Sequence, residues 1–295
     1  MTVDILLTGA RGQVGWEVAR RAKAAALSVQ SYAHADLDIT DRESVQRAVD
    51  AATPKVVVNA AAYTAVDKAE SDRDAAFAVN RDGPAYLARA CANADIPLIH
   101  ISTDYVFDGS KAGAYMEDDS VAPLGVYGAS KLAGEEAVRA SGARHIILRT
   151  AWVYGIEGNN FVKTMLRLGR ERDTLRVVAD QHGCPTFAGD LADAILTLAR
   201  HVTTQPTAEA WGTFHCVNGE PTTWHTFARR IFEIAAPKRG KTPHVDAITT
   251  ADYPTPARRP ANSVLDCSKI KRIHGITLRP WPSALEDALG AILKC

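Results

Sequence analysis

The run Leu7-Thr8-Gly9-Ala10-Arg11-Gly12-Gln13-Val14-Gly15 decides how this chain folds. It follows a short apolar segment at residues 3–7 and opens an Ala/Arg-rich, helix-like segment at about residues 13–26. The three glycines allow a tight turn, a close approach of the backbone to a phosphate, and close packing of the helix. The helix start would offer free N–H groups and a partial positive charge to a diphosphate. The run predicts a dinucleotide-binding turn, and a glycine-rich turn without a ligand is the alternative.

Short apolar runs alternate with helix-like segments through the first half of the chain. The runs lie at residues 3–7, 27–32, 55–59, 97–101 and 145–148, and a long Ala-rich helical stretch spans about 72–94. Near-continuous apolar strands separated by helices are typical of a parallel sheet buried on both faces. We therefore predict an α/β protein with a Rossmann-like, doubly wound parallel sheet that binds ligands at the carboxyl ends of its strands.

Beyond about residue 150 the alternation is looser. Helix-like segments at residues 159–170 and 190–201 flank a strand-like run at 175–178, and most of the 14 prolines lie between residues 185 and 282. We expect a nucleotide-binding domain at residues 1–150 and a smaller C-terminal substrate-binding lobe at residues 151–295. The boundary is soft, because segments of such lobes can cross back.

Composition excludes several classes of partner and site. The 34 lysines and arginines balance the 34 aspartates and glutamates, so there is no general attraction to nucleic acid or to an anionic membrane. No apolar run approaches the roughly 18 residues of a membrane span, and the opening strand leaves no room for a signal peptide. The 5 cysteines are scattered, which indicates neither a disulfide framework nor a thiolate metal site. We expect a soluble, cytoplasmic protein.

Tyr127 and Lys131 carry the chemistry that the sequence predicts. Their spacing puts the phenol and the ammonium on one face of a helix. A free phenol has a pKa of about 10, and a neighbouring cation favours the phenolate and lowers that pKa. The pair would then suit proton transfer to a carbonyl oxygen near neutral pH, with a hydride from a nicotinamide completing the reduction. An incidental pair on an exposed helix is the alternative, which the glycine run and Ser102-Thr103-Asp104-Tyr105 outweigh.

Thr103 directly follows the apolar run at residues 97–101, so its hydroxyl is expected at the carboxyl edge of the sheet. We predict that Tyr127 donates the proton, that Lys131 lowers the tyrosine pKa and binds the nicotinamide ribose, and that Thr103 orients the carbonyl. A strand-end cap is the alternative role for Thr103.

The second predicted strand has no acidic residue at its end and is followed by His34, so strict use of NAD is unsupported and NADPH is tolerated. Asp38 and Ile39 are expected to meet the adenine, with a solvated acidic turn as the alternative. The small residues after the third strand would let the cofactor lie across the strand ends, although core packing explains them equally well. The predicted cofactor-binding residues are Gly9, Gly12, Gln13, Val14, Gly15, Asp38, Ile39, Ala62, Tyr63, Thr64, Tyr127 and Lys131.

Six collinear segments that cover nearly the whole chain resemble the dTDP-4-dehydrorhamnose reductase family of extended short-chain dehydrogenases. They are residues 8–17, 58–70, 102–107, 159–161, 180–186 and 253–260. The second and last are the most specific, because other extended short-chain enzymes share only the glycines and Tyr-x-x-x-Lys. The resemblance implies reduction of the C4 ketone of dTDP-4-dehydro-L-rhamnose to dTDP-L-rhamnose, with NADPH or NADH as cofactor.

The resemblance also implies substrate contacts at Thr103, Asp104 and Trp152, where the indole would stack on the sugar or the base; plain core packing is the alternative for the indole. Arg258 and Arg259 suit a diphosphate by charge and by the fork geometry of their guanidinium groups. Salt bridges are an equal interpretation for these two arginines.

Some members of the family bind Mg²⁺ through glutamates at a dimer contact. Glu17 matches the first of these positions, whereas the other two correspond to Gly189 and Ala291, with Asp190 adjacent to one. One carboxylate would hold Mg²⁺ weakly. We therefore predict no metal site, and a homodimer stays open.

Three other functions compete with a reductase. A nucleotide-sugar epimerase of the same fold would keep its NAD tightly bound, and a dehydratase would want Asp-Glu after the threonine, where this chain has Asp104-Tyr105. A non-catalytic regulatory subunit is the candidate from another class. The joint presence of Tyr127, Lys131 and Thr103 argues against that subunit.

Overall fold

The apolar runs of the sequence form the strands. The structure, a computed structural model, describes residues 3–204, 207–240 and 242–294. In chain order its strands are β1 (Ile5–Thr8), β2 (Val29–Tyr32), β3 (Val56–Asn59), β4 (Leu98–Thr103), β5 (His145–Thr150), β6 (Val153–Tyr154), β7 (Thr174–Val178), β8 (His182–Gly183), β9 (Thr186–Phe187), β10 (Gly212–His215), β11 (Thr222–Thr223) and β12 (His244–Ile248).

Helices connect most of these strands. They are α1 (Gln13–Ala22), α2 (Arg42–Ala52), α3 (Val66–Ala69), α4 (Arg73–Phe77), α5 (Gly83–Ala94), α6 (Val126–Ala140), α7 (Phe161–Glu171), α8 (Ala188–Thr204), α9 (Trp224–Arg239), α10 (Ser268–His274) and α11 (Trp281–Ile292). A π-helical segment, Ala78–Asp82, joins α4 to α5, and a short 3₁₀ turn, Asp104–Val106, follows β4.

One six-stranded sheet has the order β10-β5-β4-β3-β1-β2, and all its neighbouring strands run parallel. Every residue of β1 and β3 is buried, as the continuous apolar runs predict. The chain passes from β1 to β2 on one side and returns to β3 on the other. Such a reversal of strand order opens a crevice at the carboxyl ends of β1 and β3, the neighbouring strands between which it occurs.

Helices cover both faces of this sheet. Apolar residues of α1, α8 and α10 pack on one face, and those of α2, α5 and α6 pack on the other. The predicted doubly wound α/β fold is confirmed.

Two predicted helices differ in detail from the observed ones. The helix expected at residues 13–26 ends at Ala22, and Ala26 has a positive φ of 51°, which cannot continue a helix. The stretch expected at residues 72–94 is helical throughout but contains the π-helical segment directly before Gly83-Pro84. A proline lacks the backbone N–H that α-helical hydrogen bonding needs, and π segments occur where that pattern is interrupted.

The chain after residue 150 contributes to two apolar cores. Residues of α7, α9 and α11 pack with Tyr154 and Phe187 in a cluster of their own. In contrast, β10 is the edge strand of the large sheet and α8 packs against α1. Segments therefore cross back, and the division at residue 150 stays a prediction.

Candidate active site

A cleft of about 620 Å³ lies at the carboxyl ends of β1, β3, β4 and β5. Its walls come from the glycine turn, the segment after β3, the end of β4, the first two turns of α6, the segment after β5 and the first residue of α9. Most of the site residues that the sequence predicts lie in this one cleft. Gln13, Val14, Ala62, Thr64, Thr103, Asp104, Tyr127, Lys131 and Trp152 line it together with Gly12.

The glycine turn has no room for larger side chains at two of its positions. Gly9 has a φ of 72°, and a Cβ there would lie 2.5 Å from the backbone of Ala60. A Cβ on Gly15 would lie 2.2 Å from the carbonyl oxygen of Gly9. Helix α1 begins directly after Gly12, without a side-chain cap on its first N–H groups. Uncapped N–H groups at a helix start bind anions, so the turn fits a dinucleotide diphosphate.

The segment after β3 is held in place by Asn80, which sequence reasoning missed. Its buried side chain accepts a hydrogen bond from Tyr63 N (2.9 Å) and donates to Tyr63 O (3.0 Å) and to Ser130 Oγ on α6 (3.0 Å). The Tyr63 hydroxyl donates to Asp72 (3.1 Å), and Tyr63 is not among the residues that line the cleft. No local motif around Asn80 signals this role, because all its partners are distant in sequence.

Asp38 and Ile39 are not among the residues that line the cleft. Ile39 is buried, and a Cβ on Gly83 would lie only 2.5 Å from its Cδ1. Asp38 is exposed and accepts hydrogen bonds from Thr40 N (2.9 Å) and Thr40 Oγ1 (2.8 Å). The structure thus has the solvated acidic turn that was the alternative, and a contact between these residues and adenine stays a prediction.

The three predicted catalytic residues converge. Thr103 ends β4, and its Oγ1 donates to Asp104 Oδ1 (3.0 Å) and accepts from Tyr105 N (3.2 Å). Tyr127 lies in the first turn of α6, with its ring 5.6 Å from the ring of Tyr105 in an edge-to-face arrangement. Lys131 is buried one turn later, and its Nζ donates to the carbonyl oxygen of Ile101 (2.6 Å).

The net shift of the Tyr127 pKa is upward in this structure, and a lowering contribution from Lys131 stays a prediction. Burial raises the pKa of Tyr127 to about 12, although a hydrogen bond with Thr103 opposes the rise. The Lys131 ammonium is directed at the Ile101 carbonyl, and burial lowers its own pKa to about 8, with the charge of Glu135 opposing. Tyr127 is therefore a neutral phenol at neutral pH. A neutral phenol has the proton that a reduction requires.

Asp104 is a buried acid beside this pair. Burial raises its pKa to about 6, and hydrogen bonds with Ser263 and Thr103 oppose the rise. Its charge in turn raises the pKa of Tyr127. The carboxyl group therefore gains or loses its proton in mildly acidic solution.

Trp152 is part of a stacked pair. Its ring lies 3.6 Å from that of Trp224 at an interplanar angle of 9°, and a Cβ on Gly183 would lie 2.4 Å from the indole. The indole is therefore held between Trp224 and the Gly183 backbone, so the pair forms this wall of the cleft rather than one free ring. Stacking of Trp152 on a sugar or base stays a prediction. Sequence reasoning missed Trp224, whose only local signal is the helix cap at Thr223.

The two C-terminal arginines differ. Both terminal nitrogens of Arg259 pair with the carboxylate of Asp67, at 3.1 and 2.9 Å. Arg258 is exposed and does not line the cleft. For Arg259 the structure shows the salt bridge that was one of the two interpretations.

Arginines surround the carboxylates considered for Mg²⁺. Buried Glu17 accepts hydrogen bonds from Arg20 (2.7 Å) and Arg21 (2.9 Å). Asp190 pairs with Arg279 at 2.9 Å, and a Cβ on Gly189 would lie 2.4 Å from Arg21 Nη2. Within residues 3–204, 207–240 and 242–294, no group of three or more His, Cys, Asp or Glu side chains is arranged to hold a metal. Within one chain Glu17 and Asp190 are thus paired with arginines, and the absence of a Mg²⁺ site stays a prediction.

None of the helices in the described part of the chain is both long enough and apolar enough to cross a membrane.

Comparison with known proteins agrees with this geometry. The sequence model of the family described as "RmlD substrate binding domain" matches residues 2–293. The dTDP-4-dehydrorhamnose reductase of Sinorhizobium fredii is 44% identical over 289 residues, which are 98% of this chain and 97% of the relative. That of Aggregatibacter actinomycetemcomitans is 45% identical over 287 residues, which are 96% of this chain and 97% of the relative.

Solved structures show the same relationship. The structure of a dTDP-4-dehydrorhamnose reductase from Clostridium acetobutylicum has a TM-score of 0.92 at 39% identity and covers 99% of this chain and 100% of its own. The enzyme from Bacillus anthracis in complex with NADP has a TM-score of 0.90 at 36% identity, with coverage of 98% and 99%. This chain belongs to the dTDP-4-dehydrorhamnose reductase family.

Proposed function

We propose that this protein reduces the C4 ketone of dTDP-4-dehydro-L-rhamnose to the hydroxyl of dTDP-L-rhamnose, with NADPH or NADH as the hydride donor. The observation that carries the proposal is the convergence of Thr103, Tyr127 and Lys131 in the cleft that also contains the glycine turn. The names of the relatives supply the substrate, and the bound NADP of the Bacillus anthracis enzyme supports the cofactor.

The glycine turn fits the cofactor on its own evidence. A Cβ on Gly9 or Gly15 would collide with backbone atoms, and the uncapped start of α1 presents N–H groups to an anion. Alanines 60–62 offer small side chains on the neighbouring strand end. A nicotinamide dinucleotide bound here supplies the hydride.

The side chains of the chain handle the proton and the carbonyl. Tyr127, neutral at neutral pH because its pKa is about 12, gives its proton to the ketone oxygen as negative charge develops there. The single hydrogen of Thr103 Oγ1 is donated to Asp104 in this structure. To orient the ketone oxygen, the hydroxyl would turn that hydrogen from Asp104 to the substrate. The ammonium of Lys131 adds positive charge that stabilises the phenolate left on Tyr127, and it is placed to bind a ribose hydroxyl.

One coupled assay tests the proposal. The purified protein should consume NADPH when it is given dTDP-4-dehydro-L-rhamnose made by the preceding epimerase, and the product should be identified as dTDP-L-rhamnose by NMR. Absence of oxidation with either NADPH or NADH would contradict the proposal. Nucleotide released on denaturation of the purified protein should be well below one equivalent, because stoichiometric NAD favours the epimerase alternative.

A further inference from the structure

A buried acid lies one helical turn beyond Lys131. Tyr127, Lys131 and Glu135 are each four residues apart, so they share the inward face of α6. The Glu135 side chain has 0% of its surface exposed. A buried carboxylate is costly unless it is paired and hydrogen-bonded, so its partners are informative.

Both carboxylate oxygens of Glu135 are fully engaged. Oε1 accepts from Ser102 Oγ (2.5 Å) and Arg149 Nε (2.9 Å). Oε2 accepts from Arg149 Nη2 and Arg139 Nη2, both at 2.7 Å. Burial alone would raise the pKa of Glu135, but the hydrogen bonds and charge of Arg149 outweigh it and leave the pKa below its usual value. Glu135 is therefore an anion at neutral pH.

These contacts attach α6 to the two strands that carry the site. Ser102 on β4 and Arg149 on β5 are direct neighbours across the sheet, as are Thr103 and Thr150 one residue further on. Lys131 holds the carbonyl oxygen of Ile101, the residue before Ser102. Ile101 and Ser102, the two residues of β4 before Thr103, thus bind Lys131 and Glu135, which lie on consecutive turns of α6.

We propose that Glu135 is a positioning residue for the reaction: through Ser102 and Arg149 it fixes α6 on the sheet so that Tyr127 and Lys131 meet Thr103, and it places a negative charge one helical turn from Lys131. The proposal rests on the proposed reductase function, because it assigns a role within that site. Glu135 itself touches none of the reacting groups.

The charges around Lys131 give the sign of the expected pH effect. On its own helix it faces Tyr127, a neutral phenol, and the anion Glu135; from β4 it faces His100, which burial keeps neutral. Arg149 on β5 is a cation held by Glu135. Loss of the Glu135 charge removes the interaction that raises the Lys131 pKa, so Lys131 should lose its proton at a lower pH.

The test is Glu135→Gln, which keeps the shape of the side chain and removes its charge. We expect kcat to fall at least about tenfold with little change in KM, as for an interaction made in the transition state. The alkaline limb of the pH profile should move to lower pH by roughly one unit. Glu136→Gln is the matched control, because Glu136 is the next residue on the same helix but is exposed. It should behave like the wild type.

A second variant covers a failure of Glu135→Gln to fold. Removing one partner of a buried ion pair is strongly destabilising, whereas replacing both with uncharged groups is often tolerated. Glu135→Gln combined with Arg149→Met should therefore fold and still show the displaced alkaline limb. A wild-type pH profile and kcat in either folded variant would overturn the proposal.

A measurement without substrate separates this proposal from the reductase function. NMR titration of the Lys131 side-chain nitrogen, assigned with Lys131→Met, should show a lower pKa in Glu135→Gln than in the wild type. If wild-type protein fails to oxidise NADPH but the lysine shift appears, the reductase function fails and the coupling of Glu135 to Lys131 stands. No shift in the lysine titration overturns the coupling.

Discussion

At the scale of single residues, the decisive property of Tyr127 is that it keeps its proton. Sequence spacing alone suggests a phenol whose pKa is lowered by Lys131. In the structure the Lys131 ammonium donates to the Ile101 carbonyl, and burial is the largest influence on the pKa of the phenol. A donor in a reduction needs its proton in the ground state, so a raised pKa suits this direction. The same reasoning makes the positive charge of Lys131 useful after proton transfer rather than before it.

Tyr127→Phe should lower turnover roughly 10²–10⁴-fold, because it removes a positioned acid and keeps the ring. The edge-to-face contact with Tyr105 survives the change, so thermal stability and NADPH affinity should alter little. Steady-state kinetics, calorimetry and fluorescence titration of NADPH measure the three quantities. Near-normal turnover would show that another group delivers the proton.

The ionised form of Asp104 should lower the free energy of unfolding at neutral pH. Its pKa rises from 3.8 when unfolded to about 6 when folded, so the folded state binds the proton more tightly. The stabilising contribution of Asp104 protonation is then fully present below about pH 4, falls as pH rises towards 6, and is lost above that. Each pH unit between the two pKa values corresponds to about 1.4 kcal/mol.

Asp104→Asn removes this ionisation. The free energy of unfolding at pH 7.5 should therefore rise, by at most about 3 kcal/mol. The gain over the wild type should grow as pH rises from about 4 to 6 and then level off. Denaturant unfolding at several pH values measures both. If the variant matches the wild type in stability and in its pH dependence, the Asp104 carboxylate is well solvated. A fall in turnover is expected as well, because Asp104 lines the cleft.

At the scale of secondary structure elements, the sequence predicts best what depends on neighbouring residues. The strands β1, β3, β4 and β5 and the turn before α1 follow from apolar runs and glycine spacing. Asn80, Trp224 and Glu135 escape prediction because their partners are 17, 72 and 33 residues away. Packing of distant segments, rather than local pattern, sets the contacts of these side chains.

The glycine turn gives a test at this scale. A methyl group on Gly15 would lie 2.2 Å from the Gly9 carbonyl oxygen, whereas one on Gly12 would lie 3.3 Å from the same atom. Gly15→Ala should therefore destabilise the protein by roughly 1–3 kcal/mol, the cost of overpacking, and weaken NADPH binding. Gly12→Ala is the matched control and should unfold at nearly the wild-type denaturant concentration. Equal effects of the two substitutions would argue against the close contact at Gly15.

At the scale of the whole molecule, the cleft is made by segments that are far apart in the chain. Residues 150–153 and Trp224 complete a wall that the first 150 residues begin, while β10 and α8 return to the large sheet. The sequence shows that the alternation of strands and helices loosens near residue 150. It does not show which later segments pack back on the large sheet. That depends on the register of β10 on β5 and on the packing of α8 on α1.

Activity and assembly should be independent of Mg²⁺. Arg20 and Arg21 already neutralise Glu17, and Arg279 neutralises Asp190, so a metal ion would have to displace guanidinium groups. Glu17 Oε1 is the one oxygen of that carboxylate without a hydrogen-bond partner among the described residues, and a single oxygen leaves most of the octahedral shell to water. Treatment with a chelator should leave turnover and the sedimentation coefficient unchanged. Loss of a dimer on chelation, restored by magnesium and abolished in Glu17→Gln, would show instead that Glu17 binds the metal once its arginines move.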